Sequence, residues 1–315
     1  MINVLIVETA NVSKNTTIAH VRNSIQLNKV LNGSGMFFSE LVDLNTDINP
    51  QIRRDIILFS YAGLGCDFSK IDEVISHQPD AKIGWITNEF ELFANGYVKD
   101  HMTFMINNFE ESGIKKAHRH DQLLTTNLNT LMYDKPNPLV DKKYDICYYG
   151  TYRKYRESYF QKYMKAGVIL SSSKKNWKKF QDLDLDCNVC DKFSWTPQEE
   201  TLNLFKASLY IEDTKTHNCF NYMANRFFEA LICNTALFFD RSCINTIKKD
   251  IYYIDDYFIV DSYEELRGKV RNLDMDLVNT FLKTNRRIAD RAKRTTEVDI
   301  IQFLKELHSA RSMGK

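Results

Sequence analysis

Asn225-Arg226-Phe227-Phe228-Glu229-Ala230-Leu231-Ile232-Cys233-Asn234-Thr235-Ala236-Leu237-Phe238-Phe239-Asp240 changes its periodicity halfway along. In the first half Phe227, Phe228, Leu231 and Ile232 recur at helical spacing and give one apolar face. Asn234 suits the helix stop, because asparagine tolerates the left-handed conformation of a C-terminal cap. The second half, Ala236 to Phe239, is a short apolar run of the kind found in buried parallel strands. Arg226 and Glu229 lie three apart and share one face near the helix start. A cation there works against the helix macrodipole. Two readings account for the pair. One is an i,i+3 surface ion pair of little energetic weight. The other is an anion docked at the helix start, held by backbone N–H groups and Arg226. Glu229 would then accept from a neutral pair of hydroxyls, such as those of a ribose.

The chain has 315 residues, which suits two domains of ordinary size. Hydrophobic content of 43% with only 5 prolines fits a folded globular protein. The net charge is +1, so no global field drives the chain onto nucleic acid or membrane, and any such binding has to come from a local patch. Seven scattered cysteines, odd in number, do not make a disulfide framework. Cys187-Asn188-Val189-Cys190 is a lone C-x-x-C without the second pair that structural zinc needs, so no metal site is expected. Met1 to Val7 is too short for a signal peptide, lacks a basic start, and reads as a first buried strand. No run approaches a membrane span. The expectation is a soluble, cytoplasmic monomer.

Along the chain, strand-like and helical runs alternate. Ile2 to Val7 reads as a strand, followed by a polar loop and a helix from about Ile18 to Leu31 that His20 begins. Ile56 to Ser60 is a second strand, Phe68 to His77 a helix, and Lys82 to Thr87 a further strand. That strand runs into Asn88-Glu89-Phe90-Glu91, where two carboxylates beside an aromatic are either a source of a general base or a plain acidic loop. Gly63 and Gly65 lack the third glycine and the acidic partner of a dinucleotide fingerprint. Tyr144 to Tyr149 is a strand, Gly150-Thr151-Tyr152 a turn, and Arg153 to Lys165 a helix with Arg153 and Arg156 in its first turn. Two arginines at a helix start after a strand–Gly turn favour an anion site over a solvated pair. Ser171 to Phe180 reads as a basic loop in which Lys174, Lys175, Lys178 and Lys179 surround Trp177. It suits either solvent or a phosphate backbone, with Trp177 stacking or wedging. A helix is expected over Gln198 to Ala207 and a strand over Ser208 to Glu212. Helices are also expected from Tyr263, Asp276 and Glu297.

Asp134 to Lys142, with two prolines, is the best linker candidate. Alternation on both sides of it implies an α/β protein of two Rossmann-like, doubly wound domains facing a cleft. The expected division is 1–138 and 139–294.

The stretch from Asn225 to Asp240 resembles the nucleotide-sugar site of the GT-B glycosyltransferases, and a similar Arg-Phe-Glu-Ala helix occurs in the spore-maturation type. Tyr144-Asp145-Ile146-Cys147-Tyr148-Tyr149-Gly150-Thr151-Tyr152-Arg153-Lys154-Tyr155-Arg156-Glu157-Ser158 narrows the likeness. It resembles the strand–Gly-turn–Arg-x-x-Arg-Glu-Ser segment of bacteriophage DNA β-glucosyltransferases. The basic segment over 174–180 and the strand–helix run Asp256 to Leu273 continue the similarity, which covers roughly 145–275. The resemblance implies a UDP-sugar donor, with Gly150 at the turn, Arg153, Arg156 and Arg226 on the diphosphate and Glu229 on the ribose. Magnesium or manganese on the diphosphate is compatible with it. It implies double-stranded DNA containing 5-hydroxymethylcytosine as acceptor, with the base flipped out of the duplex and glucose or a pentose such as arabinose transferred. Lys174, Lys175, Trp177, Lys178 and Lys179 would face the DNA. The family resemblance also implies that a C-terminal helix over about 295–315 crosses back to the first domain. The family's general base is an aspartate at a strand end. Counting from Lys82 puts Glu89 there, whereas matching the threonine puts Asn88 there, which cannot act as a base. Glu89 is the choice, with His20 and Glu91 as alternatives. Two other readings stay open: a GT-B enzyme acting on a glycan, lipid or protein, and a GT-B-shaped binding protein without chemistry.

Overall fold

Strand β1 (Ile2–Glu8) holds four consecutive residues, Val4 to Val7, with no exposed surface. A strand buried on both faces must have helices above and below, and it reads as a continuous apolar run because neither face meets water. The computed structural model describes residues 1–9, 19–60, 67–87, 103–107, 122–193, 201–211 and 222–310. It divides into two compact units: residues 1–132 with 292–315, and residues 133–291.

In the first unit β1 is followed by α1 (Ala19–Gly33), β2 (Phe37–Asp43), β3 (Ile56–Ser60), α2 (Phe68–Ser76), β4 (Lys82–Thr87), β5 (Phe104–Asn107) and β6 (Leu123–Thr125). The strands form one parallel sheet in the order β2-β1-β3-β4-β5-β6. Gly84 in β4 is a glycine for lack of room. A Cβ there would lie 2.2 Å from the Phe104 ring of the neighbouring strand.

The second unit contains β7 (Tyr144–Tyr149), α3 (Glu157–Tyr163), β8 (Val168–Ser171), α4 (Lys174–Gln181), β9 (Asn188–Cys190) and β10 (Phe205–Tyr210). It continues with α5 (Asn225–Ile232), β11 (Ala236–Asp240), α6 (Ile244–Lys249), β12 (Ile259–Val260) and α7 (Tyr263–Arg271). Its parallel sheet runs β12-β11-β10-β7-β8-β9. Numbered from β7, that is the 3-2-1-4-5-6 order of a doubly wound dinucleotide-type fold, with its topological switch between β7 and β10. The last helix, α8 (Met275–Ser309), is 35 residues long. Its Val278, Phe281 and Leu282 are buried within the second unit. Its Ile300, Leu304 and Leu307 join the core of the first unit beside Val4, Leu27, Leu58 and Leu131.

Several expectations change on this structure. The segment over 134–142 is not a free linker, and the division falls between Met132 and Tyr133. Its prolines remove donors, but Asn137 and Pro138 are tied into the second unit. Asn137 N–H donates to Ile232 O at 2.8 Å, Asn203 donates to Pro138 O at 2.8 Å, and Asn234 donates to Asn137 O at 2.8 Å. The basic stretch after Ser173 is the helix α4, because Asn176 and Phe180, one turn apart, bury one side and leave the lysines outside. Arg153 is extended and precedes a 3-10 turn, Lys154–Arg156, so the helix proper starts only at Glu157. The strand β10 begins at Phe205, inside the stretch expected to be helical, after a 3-10 turn over Thr201–Leu204. The starts expected at Asp276 and Glu297 fall inside the single helix α8, where no proline or glycine interrupts the chain.

Candidate functional site

In a doubly wound sheet the ligand crevice lies beyond the C-terminal ends of the strands at the topological switch. Here those ends are Tyr149 of β7 and Tyr210–Ile211 of β10. Arg226, in the first turn of α5, reaches both: Nη2 donates to Tyr149 O at 2.8 Å and Nη1 to Ile211 O at 3.5 Å. Its guanidinium carbon lies 5.0 Å from the Tyr148 ring centroid and 5.2 Å from that of Tyr149, within cation–π range of both. Gly150 follows directly. A Cβ on it would stand 2.9 Å from Arg226 Nη2 and 3.1 Å from the Tyr148 hydroxyl, so a side chain at 150 would occupy the guanidinium's place.

Glu229 sits one turn further along α5 and is buried, which removes the surface-pair reading of Arg226 and Glu229. The Tyr149 hydroxyl donates to Glu229 Oε2 at 2.5 Å. Desolvation, with the Glu229 charge beside it, pushes the Tyr149 phenol well above 10, so the phenol keeps its proton and serves as the donor. Lys192, after β9, is lowered by desolvation and pulled back up by Glu229. Arg156 Nη1 donates to the Tyr148 hydroxyl at 3.4 Å, and its guanidinium carbon lies 5.8 Å from the Tyr155 centroid. Arg153 is exposed beside it.

The start of α5 is fixed from outside the helix. Ala224 N–H donates to the Tyr210 hydroxyl at 2.9 Å, and Met223 N–H donates to Asp250 Oδ2 at 2.6 Å. Burial pushes the Asp250 carboxyl up to about 6. The far end is a left-handed cap: Asn234 has φ 52°, as its residue type suggests. Arg286 of α8 donates there from Nη2 to Leu231 O and to Asn234 Oδ1, both at 2.6 Å.

On α4 the side chains of Lys174, Lys175, Lys178 and Lys179 are exposed. Trp177 is half-buried, and its indole N–H donates to Ser172 O at 3.1 Å, which ties the ring to its own unit. Lys179 Nζ lies 5.4 Å from the Tyr152 ring centroid, which joins the basic face of α4 to the turn after Gly150. Asn88, Glu89 and Glu91 lie outside the described residues. His20 stands in the first turn of α1, and its side chain lies outside them too. Among the described residues no group of three or more His, Cys, Asp or Glu could hold a metal ion. No helix among them is long and apolar enough to cross a membrane.

The sequence pattern marks Gly150, Arg226 and Glu229 and leaves Tyr148 and Tyr149 unmarked. The signal was there as a tyrosine doublet at the end of β7. Two phenols closing a strand whose middle is buried need hydrogen-bond partners, and the crevice beyond the strand end is where they find them.

No protein-family model matches the sequence, and no curated protein matches it. Solved structures do. The chain is similar to a T4 phage β-glucosyltransferase point mutant in complex with UDP-glucose, with a TM-score of 0.69 and 14% identity over 96% of this chain and 99% of that one. It is similar to T4 phage β-glucosyltransferase in complex with UDP and Mn2+, with a TM-score of 0.68 and 15% identity over the same shares of the two chains. An α-glucosyltransferase in complex with UDP and a 13-mer DNA containing a hydroxymethyluracil base gives a TM-score of 0.58 and 7% identity, over 96% of this chain and 95% of that one. These likenesses show the fold: two Rossmann-like α/β units of the GT-B type.

Proposed function

We propose that this protein is a UDP-sugar-dependent glycosyltransferase that modifies DNA, transferring a sugar to the hydroxymethyl group of 5-hydroxymethylcytosine. The observation that carries the reading is Arg226, held across the carbonyl ends of β7 and β10 at the topological switch, with the buried Glu229 one turn on. A fixed guanidinium at a helix start suits a diphosphate, and a carboxylate beside it suits a pair of hydroxyls. The neighbours bound to UDP-glucose, and to UDP with DNA carrying a hydroxymethyluracil base, support the choice of donor and acceptor.

In this reading Arg226, Arg153 and Arg156 hold the donor diphosphate and stabilise the charge that UDP gains on leaving. A primary alcohol is a poor nucleophile, so a carboxylate removes its proton as the bond to the sugar forms. Glu89 takes that role, with His20 and Glu91 as the alternatives. A divalent cation bound with UDP would add to the charge neutralisation that Arg153, Arg156 and Arg226 supply to the diphosphate. The target base is flipped out of the duplex to reach the sugar. The exposed lysines of α4 neutralise backbone phosphates.

Incubation with hydroxymethylated duplex DNA and a panel of UDP-sugars, read by nucleoside mass spectrometry, tests the proposal. The expected product is a glycosylated hydroxymethylcytosine with one preferred donor. Donor hydrolysis without DNA modification would move the acceptor to a glycan, lipid or protein. Absence of both transfer and hydrolysis would refute the enzyme. Replacing Lys174, Lys175, Lys178 and Lys179 by alanine should flatten the salt dependence of DNA binding, since each lost phosphate contact removes released counterions.

A further inference from the structure

Tyr149 touches both groups assigned to the donor, through three different parts of itself. Its main-chain oxygen accepts from Arg226 Nη2 at 2.8 Å. Its ring lies 5.2 Å from the Arg226 guanidinium carbon. Its hydroxyl donates to Glu229 Oε2 at 2.5 Å. The three contacts differ in what a substitution removes. Phenylalanine keeps the carbonyl and the ring and loses only the hydroxyl. Leucine keeps the carbonyl and loses the ring as well.

We propose that Tyr149 is the positioning residue of this site: its hydroxyl orients the Glu229 carboxylate toward a ribose diol, while its carbonyl and ring orient Arg226 toward phosphate. The inference rests on the donor-site reading given above and adds the source of its ribose selectivity. A carboxylate on a glutamate side chain has three torsions to settle. A short charge-assisted bond from a phenol at the end of a core strand removes that freedom before the nucleotide arrives. The phenol is itself fixed, because the Tyr149 ring packs at 6.4 Å from Phe193 and against Arg226.

The test compares UDP, 2′,3′-dideoxy-UDP and UMP by calorimetry on the wild type, Tyr149→Phe, Tyr149→Leu and Glu229→Gln. In Tyr149→Phe, UDP affinity should fall roughly three- to tenfold, the loss of one well-placed hydrogen bond. Affinity for dideoxy-UDP should stay within about twofold. The ribose preference therefore shrinks by about three- to tenfold, while the preference for UDP over UMP is kept. Tyr149→Leu should lower the UDP-over-UMP preference too, because the guanidinium loses a ring. A purely structural role would weaken all three nucleotides together. If Tyr149→Phe keeps the wild-type ribose preference while Glu229→Gln abolishes it, the inference is overturned and the donor site stands. If the wild type binds no UDP, or Glu229→Gln keeps the ribose preference, the donor-site reading fails and the inference with it.

Discussion

Replacing Gly150 by alanine puts a methyl carbon where the Arg226 guanidinium passes. The new Cβ would stand 2.9 Å from Nη2 and 3.1 Å from the Tyr148 hydroxyl, both inside ordinary contact distance. Tyr148 cannot yield: its side chain is fully buried and its ring packs edge-on against Phe160 at 5.6 Å. Arg226 is the longer and freer group, so the guanidinium retreats, and its 2.8 Å bond to Tyr149 O is the contact that stretches. A hydrogen bond with one charged partner contributes about 1.5–3 kcal/mol. If the guanidinium has to be brought back to that place to meet the diphosphate, the same amount is lost from binding. Because about 1.4 kcal/mol is a factor of ten, UDP should bind about tenfold to hundredfold more weakly. A backbone conformation that side chains rarely adopt, φ 159° here, adds a stability cost of about 1–3 kcal/mol. Calorimetry with UDP reads the first effect, and a thermal melt reads the second. UDP affinity within twofold of wild type would refute the argument, because it would mean that Arg226 is not where the diphosphate binds or that its position does not matter.

Arg286→Met should destabilise the protein by about 2–3 kcal/mol in urea unfolding, because Leu231 O and Asn234 Oδ1 lose a cation at a helix C-terminus. A change under about 1 kcal/mol would show that the bonds do not outweigh the desolvation of the guanidinium. Lys142 donates to Asn203 O at 2.7 Å, and burial lowers its pKa from 10.5 to about 8. Between those two values the unfolded chain binds the extra proton, so this group makes stability rise as pH rises from about 8 toward 10.5. Lys142→Met should remove that rise relative to wild type in a pH series of urea melts; identical slopes in the two proteins would refute the assignment.

The parts of the fold that were legible are those where burial leaves one reading. Strands β3, β4 and β7 coincide with the runs read from sequence, because a strand covered on both faces is apolar through its middle. Strand β2 leaves no such signal. It lies at the sheet edge, and exposed Phe38 and Glu40 alternate with buried Phe37 and Ser39, so its apolar run is broken. Helix α4 was hidden by its lysines, since only Asn176 and Phe180 mark its inner face. The site shows the same limit. Arg226 and Glu229 stand out locally on a helical pattern. Tyr149 takes its importance from partners 77 and 80 residues away, and no local pattern encodes a pairing of that span.

Helix α8 shows why the cap on α5 can be held by a side chain from so far along the chain. Arginine carries about 2 kcal/mol of rotamer entropy, so it fixes a partner only if its own backbone is already fixed. Helices fray at their ends, and Arg286 sits well inside α8, with several turns of helix on either side. The turns before it are anchored by the buried Val278, Phe281 and Leu282. Its neighbour Asn285 exchanges two bonds with the Tyr253 main chain, at 2.8 and 2.9 Å, which sets the rotation of the helix at that point. Further on, within the first unit, Thr296 meets Thr130 at 3.0 Å, and Ile300, Leu304 and Leu307 are held in its core. The first unit is thereby closed by the end of the chain, whereas the second is one continuous stretch of sequence. Each device on α5 then has a rigid mount: Arg286 at its C-terminus, Tyr210 and Asp250 at its N-terminus, and Tyr149 against the Arg226 and Glu229 it carries. A helix of eight residues is too short to hold itself in water, so these outside contacts, and not its intrinsic propensity, set where its two charged side chains stand.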